Sequence, residues 1–361
     1  MHVNIIIIVS FVVLSLLTAC GGGGGDDADI NREEDTSDNR DVLNTGLTGY
    51  FIFEWDHRGY LLNAATGKFN EIPNTRWRLL DDVLPDPWAS IFNVYPMHNN
   101  HTEFLVEAYK CDSFSGTNFT CLFIQDYQGN INGEIVIRDI ASVPLLSPDG
   151  KYISYFRQPY GGPDELEIRD RNGELISETQ LDTNNIAWLP DNRLLHVDNR
   201  RFIFNYKNSA LAEYNLSLPD SIYPNGFIGE IAISPRGDRM VFGMCAEYCS
   251  MYIMDIDGAG IRQLADVEPN VELGLSNPQW SPDGKWIYLK RGASAAATVD
   301  YGAKARMYAV PSDDHGKAFI LTPDNSLRST EVIEIMRYAD FDNTGSITNN
   351  VLAATRMSWI P

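Results

Sequence analysis

Positive charge is scarce in this chain: 28 Lys and Arg stand against 49 Asp and Glu, for a formal net charge of −21 over 361 residues. Such acidity repels nucleic acid and anionic lipid headgroups, so neither is an expected partner. Long hydrophobic runs are lacking too. The stretch Ile5–Leu17, about a dozen apolar residues, is too short to span a bilayer and reads as the core of an export signal over residues 1–19. No G-x-S-x-G segment occurs, which excludes a nucleophile elbow. No glycine-rich phosphate loop occurs either, because Gly21–Gly25 leads into an acidic stretch and not into a helix. The pair His98 and His101 lacks a third metal ligand at zinc spacing. The segment from Asp340 to Gly345 begins like a calcium loop but has Val351 where the bidentate Glu should stand. No catalytic residue, metal or cofactor is therefore expected.

What is present is a repeat. Trp280-Ser281-Pro282-Asp283-Gly284-Lys285-Trp286-Ile287 matches Leu146-Ser147-Pro148-Asp149-Gly150-Lys151-Tyr152-Ile153, and weaker copies stand around Pro190 and Pro235. The four prolines are 42, 45 and 47 residues apart, the length of a four-stranded propeller blade. Ser-Pro-Asp-Gly suits a type I turn, which makes Asp149, Asp191 and Asp283 turn-stabilising groups and not acid–base pairs. A β-rich run follows each turn, and a second apolar run then ends in a second turn, as at Leu166–Arg169 before Asp170-Arg171-Asn172-Gly173. Strand, turn, strand, loop, strand, turn, strand is one blade.

The fold class is thus all-β, a propeller of four-stranded blades over residues 46–361. The first copy begins at Gly49-Tyr50-Phe51, where a second strand should lie, and Met357-Ser358-Trp359-Ile360 matches the missing inner strand. The carboxyl-terminal strand is expected to pair into the first blade and close the ring, leaving no open edge at the seam. With Tyr95-Pro96 ending a degenerate inner strand the count is six blades, while Val332-Ile333-Glu334-Ile335-Met336 leaves room for a seventh.

The W-S-P-D-G-K-x-I motif, with a following I-x-x-x-D-x-D-G, resembles the WD40-like repeats of TolB-type β-propellers. The resemblance covers roughly residues 90–322 well and the remainder weakly. It implies a periplasmic propeller with protein partners, although the additional amino-terminal domain of TolB has no counterpart here. The ending Leu17-Thr18-Ala19-Cys20 resembles a bacterial lipobox, which implies cleavage before Cys20 and lipid on its thiol. Residue 21 is Gly, so the same resemblance implies the outer membrane, facing the periplasm or the surface. The first four residues depart from the pattern in having no Lys or Arg.

Residues 20–45 read as a lipidated cysteine and a disordered tether: the span 26–41 carries eight acids and two bases and has almost nothing apolar to bury. The acyl chain is then the only expected membrane contact. With Cys20 lipidated, four of the five cysteines remain for an oxidising compartment. Cys111 and Cys121 flank one second-to-third strand junction, and Cys245 and Cys249 flank the same junction of a later blade, so each pair is expected to form a disulfide.

Long loops fall unevenly. First and third turns are short, whereas the elaborated segments are second turns or connections between blades, which emerge on one face of a propeller. Loops on a rigid scaffold are where recognition is built. That face would display Trp77, Trp88, Tyr160, Tyr223, Phe227 and Tyr301. The expected function is a non-enzymatic module that binds an envelope protein or polymer. The alternative is a glycan lyase or hydrolase with its site at the mouth of the central channel. Paired channel carboxylates about 5–10 Å apart would favour the enzyme, and a channel lined by Trp and apolar residues would favour the binding module.

Overall fold

In a computed structural model the residues described are 45–55, 58–72, 90–96, 103–109, 119–126, 128, 130–138, 144–157, 165–180, 185–198, 201–205, 214–218, 226–246, 248–267, 274–292, 306–324, 326–335 and 357–361. Among these every regular element is a strand, and the strands form six sheets. The first sheet orders β25 (Met357–Ile360), β1 (Tyr50–Trp55), β2 (Arg58–Asn63) and β3 (Phe69–Glu71). The second runs β4 (Ser90–Pro96), β5 (Glu103–Tyr109), β6 (Phe119–Asp126), β7 (Ile131–Arg138), and the third β8 (Leu145–Leu146), β9 (Tyr152–Arg157), β10 (Glu165–Asp170), β11 (Leu175–Gln180). The fourth contains β12 (Ile186–Trp188), β13 (Leu194–Asp198), β14 (Arg201–Asn205) and β15 (Tyr214–Ser217). The fifth contains β16 (Phe227–Ile233), β17 (Arg239–Cys245), β18 (Cys249–Asp255) and β19 (Arg262–Val267), with β23 (Phe319–Leu321) added at its edge. The sixth contains β20 (Leu275–Trp280), β21 (Trp286–Arg291), β22 (Arg306–Pro311) and β24 (Ile333–Glu334).

Around the axis the inner strands touch in turn: β8 with β12, β12 with β16, β16 with β20, β20 with β25, and β25 with β4. Sheets stacked this way bury both of their faces near the axis. Accordingly β17 and β21 read as nearly continuous apolar runs, buried along almost their whole length, instead of alternating. Burial fades outwards, and the rim strand β11, Leu-Ile-Ser-Glu-Thr-Gln, is exposed throughout.

The repeated turn explains the repeat. The Gly150 amide donates to the Ser147 carbonyl at 2.8 Å, and Gly150 takes φ +69°, a left-handed conformation that glycine adopts without a Cβ clash. The Ser147 hydroxyl donates to Asp149 at 2.7 Å and accepts from the Tyr152 amide at 2.9 Å, closing the turn with side chains. Ser281, Asp283 and Trp286 repeat these contacts at 2.6 and 2.9 Å. In the Pro235 copy the acid moves to Asp238, which accepts from Ser234 at 2.7 Å. The Pro190 copy has no glycine, and Asn192 occupies the left-handed position at φ +65°.

The motif tryptophans tie inner strands to backbone nearby. Trp188 Nε1 donates to the Leu145 carbonyl at 3.3 Å, Trp280 to Ala232 at 3.1 Å and Trp359 to Thr48 at 2.8 Å. At the seam, β25 pairs antiparallel with β1, Phe51 opposite Trp359, whose rings lie 4.8 Å apart. Gly49 lets the strands meet: it has φ +85°, and a Cβ there would lie 2.3 Å from the Ile360 carbonyl oxygen.

Two pairings depart from the simple blade. Ile333–Glu334, which could have opened a seventh blade, pairs antiparallel with β22 as the rim strand of the sixth sheet. The run that would ordinarily take that place, β23, crosses over and pairs parallel with β19 of the fifth sheet. Ser312, at the start of this crossing, accepts from Arg239 at 2.9 Å and from Arg262 at 3.3 Å through its carbonyl. Arg239 in turn lies 5.0 Å from the centre of the Trp280 ring. A short apolar strand can satisfy its backbone on either edge, and this arginine-held crossing favours the neighbour.

Candidate functional site

The second-turn face of the fifth and sixth sheets carries the most chemistry among the described residues. Cys245 and Cys249 end β17 and begin β18, opposite each other in register, and are joined by a disulfide with Cα atoms 4.0 Å apart. Two glycines make room for it. A Cβ on Gly229, in the bulge of β16, would lie 2.7 Å from the Cys245 sulfur, and one on Gly274 would lie 2.8 Å from the Cys249 amide nitrogen. Phe227 lies opposite Cys245 and is 53% exposed.

Next to the disulfide the Gly292 amide donates to the Gly274 carbonyl at 3.0 Å. Just before Gly292, Arg291 ends β21 opposite Arg306, which begins β22. Two residues on, Tyr308 faces Glu334 across β24. The Glu334 carboxylate is held from both sides: Arg328 Nη1 pairs with Oε2, and Arg306 Nε lies 3.4 Å from Oε1. The Arg328 guanidinium also sits 5.9 Å from the centre of the Tyr308 ring. Tyr308 is fully buried, and its hydroxyl has no hydrogen-bond partner among the described residues. Burial, and then the Glu334 charge, push its phenol up to about 12 against the pull of Arg291, Arg328 and Arg306. It stays a hydroxyl, able to donate.

A second polar cluster lies on the inner strands. Glu230 of β16 accepts from the Asn277 backbone amide, and Asn277 Nδ2 donates to the Met357 carbonyl of β25 at 3.0 Å. Three successive inner strands are thereby linked through Asn277, which sits in a bulge with φ +53°. The Tyr288 hydroxyl is fully buried beside Asn277 and Glu230, and burial raises its phenol far above the ordinary range against the pull of the Asn277 side chain. Glu230 is the one carboxylate that the described inner strands contribute.

A third cluster is consumed by structure. Glu167 is 1% exposed, with Arg157 Nε 2.9 Å and Arg169 Nη2 2.8 Å from its oxygens, and it accepts from Tyr155. Tyr155 and Ile153 of the same sheet pack with Leu105, Leu122 and Ile124 of the second sheet. Arg171 adds a two-pronged pair to Glu103 of β5, at 2.9 and 3.0 Å. Together they join the third sheet to the second.

Of the residues singled out from sequence, Phe227, Cys245 and Cys249 come together on one face. Trp77, Trp88, Tyr160, Tyr223, Tyr301, Cys20 and Cys111 lie outside the described residues, as do His98, His101 and the segment from Asp340 to Gly345. Cys121 falls within β6, but its side chain lies outside the description. Among the described residues no three His, Cys, Asp or Glu side chains gather as a metal site, and no helix is long and apolar enough to cross a membrane. Sequence reading missed Arg291, Arg306 and Arg328. Its available signal was an arginine at each end of the Gly292–Ala305 loop in a chain poor in bases.

Strand order and the succession of touching inner strands define a β-propeller. Among solved structures the chain is similar to TolB from Acinetobacter baumannii, with 13% identity and a TM-score of 0.50 over 74% of this chain. It spans 63% of that protein's length. A candidate TolB from Agrobacterium tumefaciens gives 14% identity and a TM-score of 0.46, covering 73% of this chain and 86% of that one. The β-propeller domain of the trilobed protease from Pyrococcus furiosus gives 14% and 0.38, covering 70% and 99%. No family model and no curated protein matches the sequence. At such identities the likeness to TolB is one of fold.

Proposed function

We propose that this chain is a six-bladed, lipid-anchored propeller of the cell envelope that binds a protein or envelope polymer through its second-turn face and is not itself a catalyst. The observation that carries this reading is the exposed Phe227 beside the disulfide-braced turn and the arginine cluster, all on the face where sequence places the long loops. The six sheets are read as six blades, with β25 as the inner strand of the first. Cys20, at the end of the lipobox-like segment, supplies the acyl anchor to the outer membrane, and the acidic tether after it gives the propeller reach. The TolB-like fold is compatible with an envelope location and a protein partner.

The glycosidase reading needs two carboxylates about 5–10 Å apart, and the described inner strands supply Glu230 alone, already engaged with a backbone amide. Photo-crosslinking in intact envelopes tests the binding face. A crosslinker at position 227 should capture a defined partner that one at position 285, on the opposite face, does not. Equal capture from both positions would overturn the assignment of the face, and palmitate labelling that persists in Cys20→Ser would overturn the anchor.

A further inference from the structure

We infer that the Cys245–Cys249 disulfide is a redox switch that sets how the second-turn face is presented, with a dithiol as its reductant. The inference rests on the reading of this face as the binding face and gives it a regulation. The bond is not needed to pair its two strands. Strands β17 and β18 already align seven residue pairs, from Arg239 opposite Asp255 to Cys245 opposite Cys249. A crosslink between residues only four apart closes a very short loop, where the chain entropy it removes is least. Its packing couples it to neighbouring strands. A Cβ on Gly229 would lie 2.7 Å from the Cys245 sulfur and 4.0 Å from the Cys249 sulfur, and one on Gly243 would lie 3.5 Å from the former. One on Gly274 would lie 2.8 Å from the Cys249 amide nitrogen. Three glycines thus bring backbone against the bonded pair.

Bonded sulfurs lie about 2.0 Å apart, whereas non-bonded atoms no smaller than carbon settle at about 3.5 Å or more. Reduction therefore drives the two sulfurs apart, and the glycines leave them no free space on the β16 side. Gly229 lies in the β16 bulge, between Phe227, which faces Cys245, and Glu230, whose carboxylate accepts from the Asn277 amide of β20. On the other flank the Gly274 carbonyl accepts from the Gly292 amide just past β21 at 3.0 Å. A change at the disulfide thus reaches the exposed Phe227 and the junction of the fifth and sixth sheets. Cys245 is 3% exposed and Cys249 is half-buried, so an incoming thiolate attacks the Cys249 sulfur. The S–S bond breaks, Cys245 leaves as a thiolate and takes a proton, and the reductant's second thiolate displaces Cys249 from the mixed disulfide. Cys249 takes the second proton. The chain gains two electrons and two protons, and the dithiol departs as a disulfide.

The test is hydrogen exchange of the purified full chain, oxidised and then reduced with dithiothreitol, read by mass spectrometry. Reduction should speed exchange about tenfold in segments 227–231 and 274–279, the factor that loosening one backbone hydrogen bond gives. The turns at 234–239 and 281–286, on the opposite face, should keep their rates. A change confined to 245–249, or one spread evenly through the ring, would overturn the switch. A second measurement poises the chain in glutathione buffers. In Gly229→Ala the added methyl crowds a sulfur that cannot turn away until the bond is broken, so the equilibrium should shift about tenfold toward the dithiol. An equilibrium equal to that of the wild type would show that β16 does not sense the bond. Because both measurements use the isolated chain, failure here is separable from failure of partner capture at position 227.

Discussion

The two faces of the ring are made by the same repeat and behave as opposites. On the first-turn face the turns at Pro148 and Pro282 consume their own polar groups, Ser with Asp and then with the following strand's amide. Each turn also leans on the next: Asn192 accepts from the Asp149 amide at 3.1 Å, and Gly237 leaves just enough space for Pro190, 2.9 Å from where a Cβ would stand. The second-turn face shows no such uniformity. It exposes Phe227, carries a disulfide, and sets Arg306 and Arg328 on either side of Glu334. The difference teaches that in this chain repetition provides stability and departures from repetition provide chemistry.

The largest expected effect lies at the seam, on the side of repetition. Deleting residues 356–361 removes the inner strand of the first sheet, with Trp359, its 2.8 Å bond to Thr48 and its contact with Phe51. Burial of a large aromatic alone is worth about 3–5 kcal/mol against alanine. Thermal unfolding should therefore show a loss of roughly 10 °C or more, and a midpoint within a degree or two of the full chain would show that closure matters little. Next comes the disulfide on the opposite face. Closing a four-residue separation is worth about 2 kcal/mol by loop entropy, so Cys245→Ser with Cys249→Ser should lower stability by that amount in chemical denaturation while leaving the ring folded.

Smaller again is Ser281→Ala, which removes one turn's closing hydroxyl and should cost about 1–1.5 kcal/mol, against no more than about 0.5 kcal/mol for the exposed Phe227→Ser. If the two substitutions cost the same, the contrast between faces fails. The smallest effect is on acid stability. The Arg171 hydrogen bonds hold the Glu103 carboxyl below its ordinary value, outweighing the upward push of burial. At Asp149 and Asp283 burial likewise pushes upward, and the hydroxyls of Ser147 and Ser281 with the following amides outweigh it. A depressed folded-state value means that these groups stabilise above their ordinary pKa and lose that contribution as pH falls through the folded value. Stability measured from pH 7 to 3 should decline below about pH 4.5, and Arg171→Gln should make the decline shallower. An unchanged acid limb would remove Glu103 from the account.

The repeated architecture was legible because its signal is local. A proline, an acid and a left-handed residue within four positions prescribe one turn, and four copies in phase prescribe a blade length. Closure by Met357–Ile360 was legible for the same reason, since the strand keeps its Trp and Ser. The crossing of β23 was not. Phe319-Ile320-Leu321 reads as a strand, but nothing within three residues says which edge it joins; Arg239 and Arg262, distant in sequence, hold the segment leading to it. The rim strand β24 has only two residues, too few for any period to show. The arginine cluster escaped notice because its members come from two strands and a loop and share no motif; only the ladder of β21, β22 and β24 brings them together.

Closure by β25 also sets a timetable. The other five sheets each begin from hairpins between neighbouring strands, whereas Trp359 must find Thr48 across 311 residues of chain. Joining ends that far apart in a flexible chain costs about 5 kcal/mol in the logarithmic loop term alone, a barrier that falls as the intervening sheets stack and bring the ends near. The first sheet to be synthesised is thus the last to be completed, and until then Tyr50–Trp55 presents a bare apolar edge. A chain in this half-finished state would gain from shielding of that edge, and slow final closure is where assistance from a holding chaperone would act.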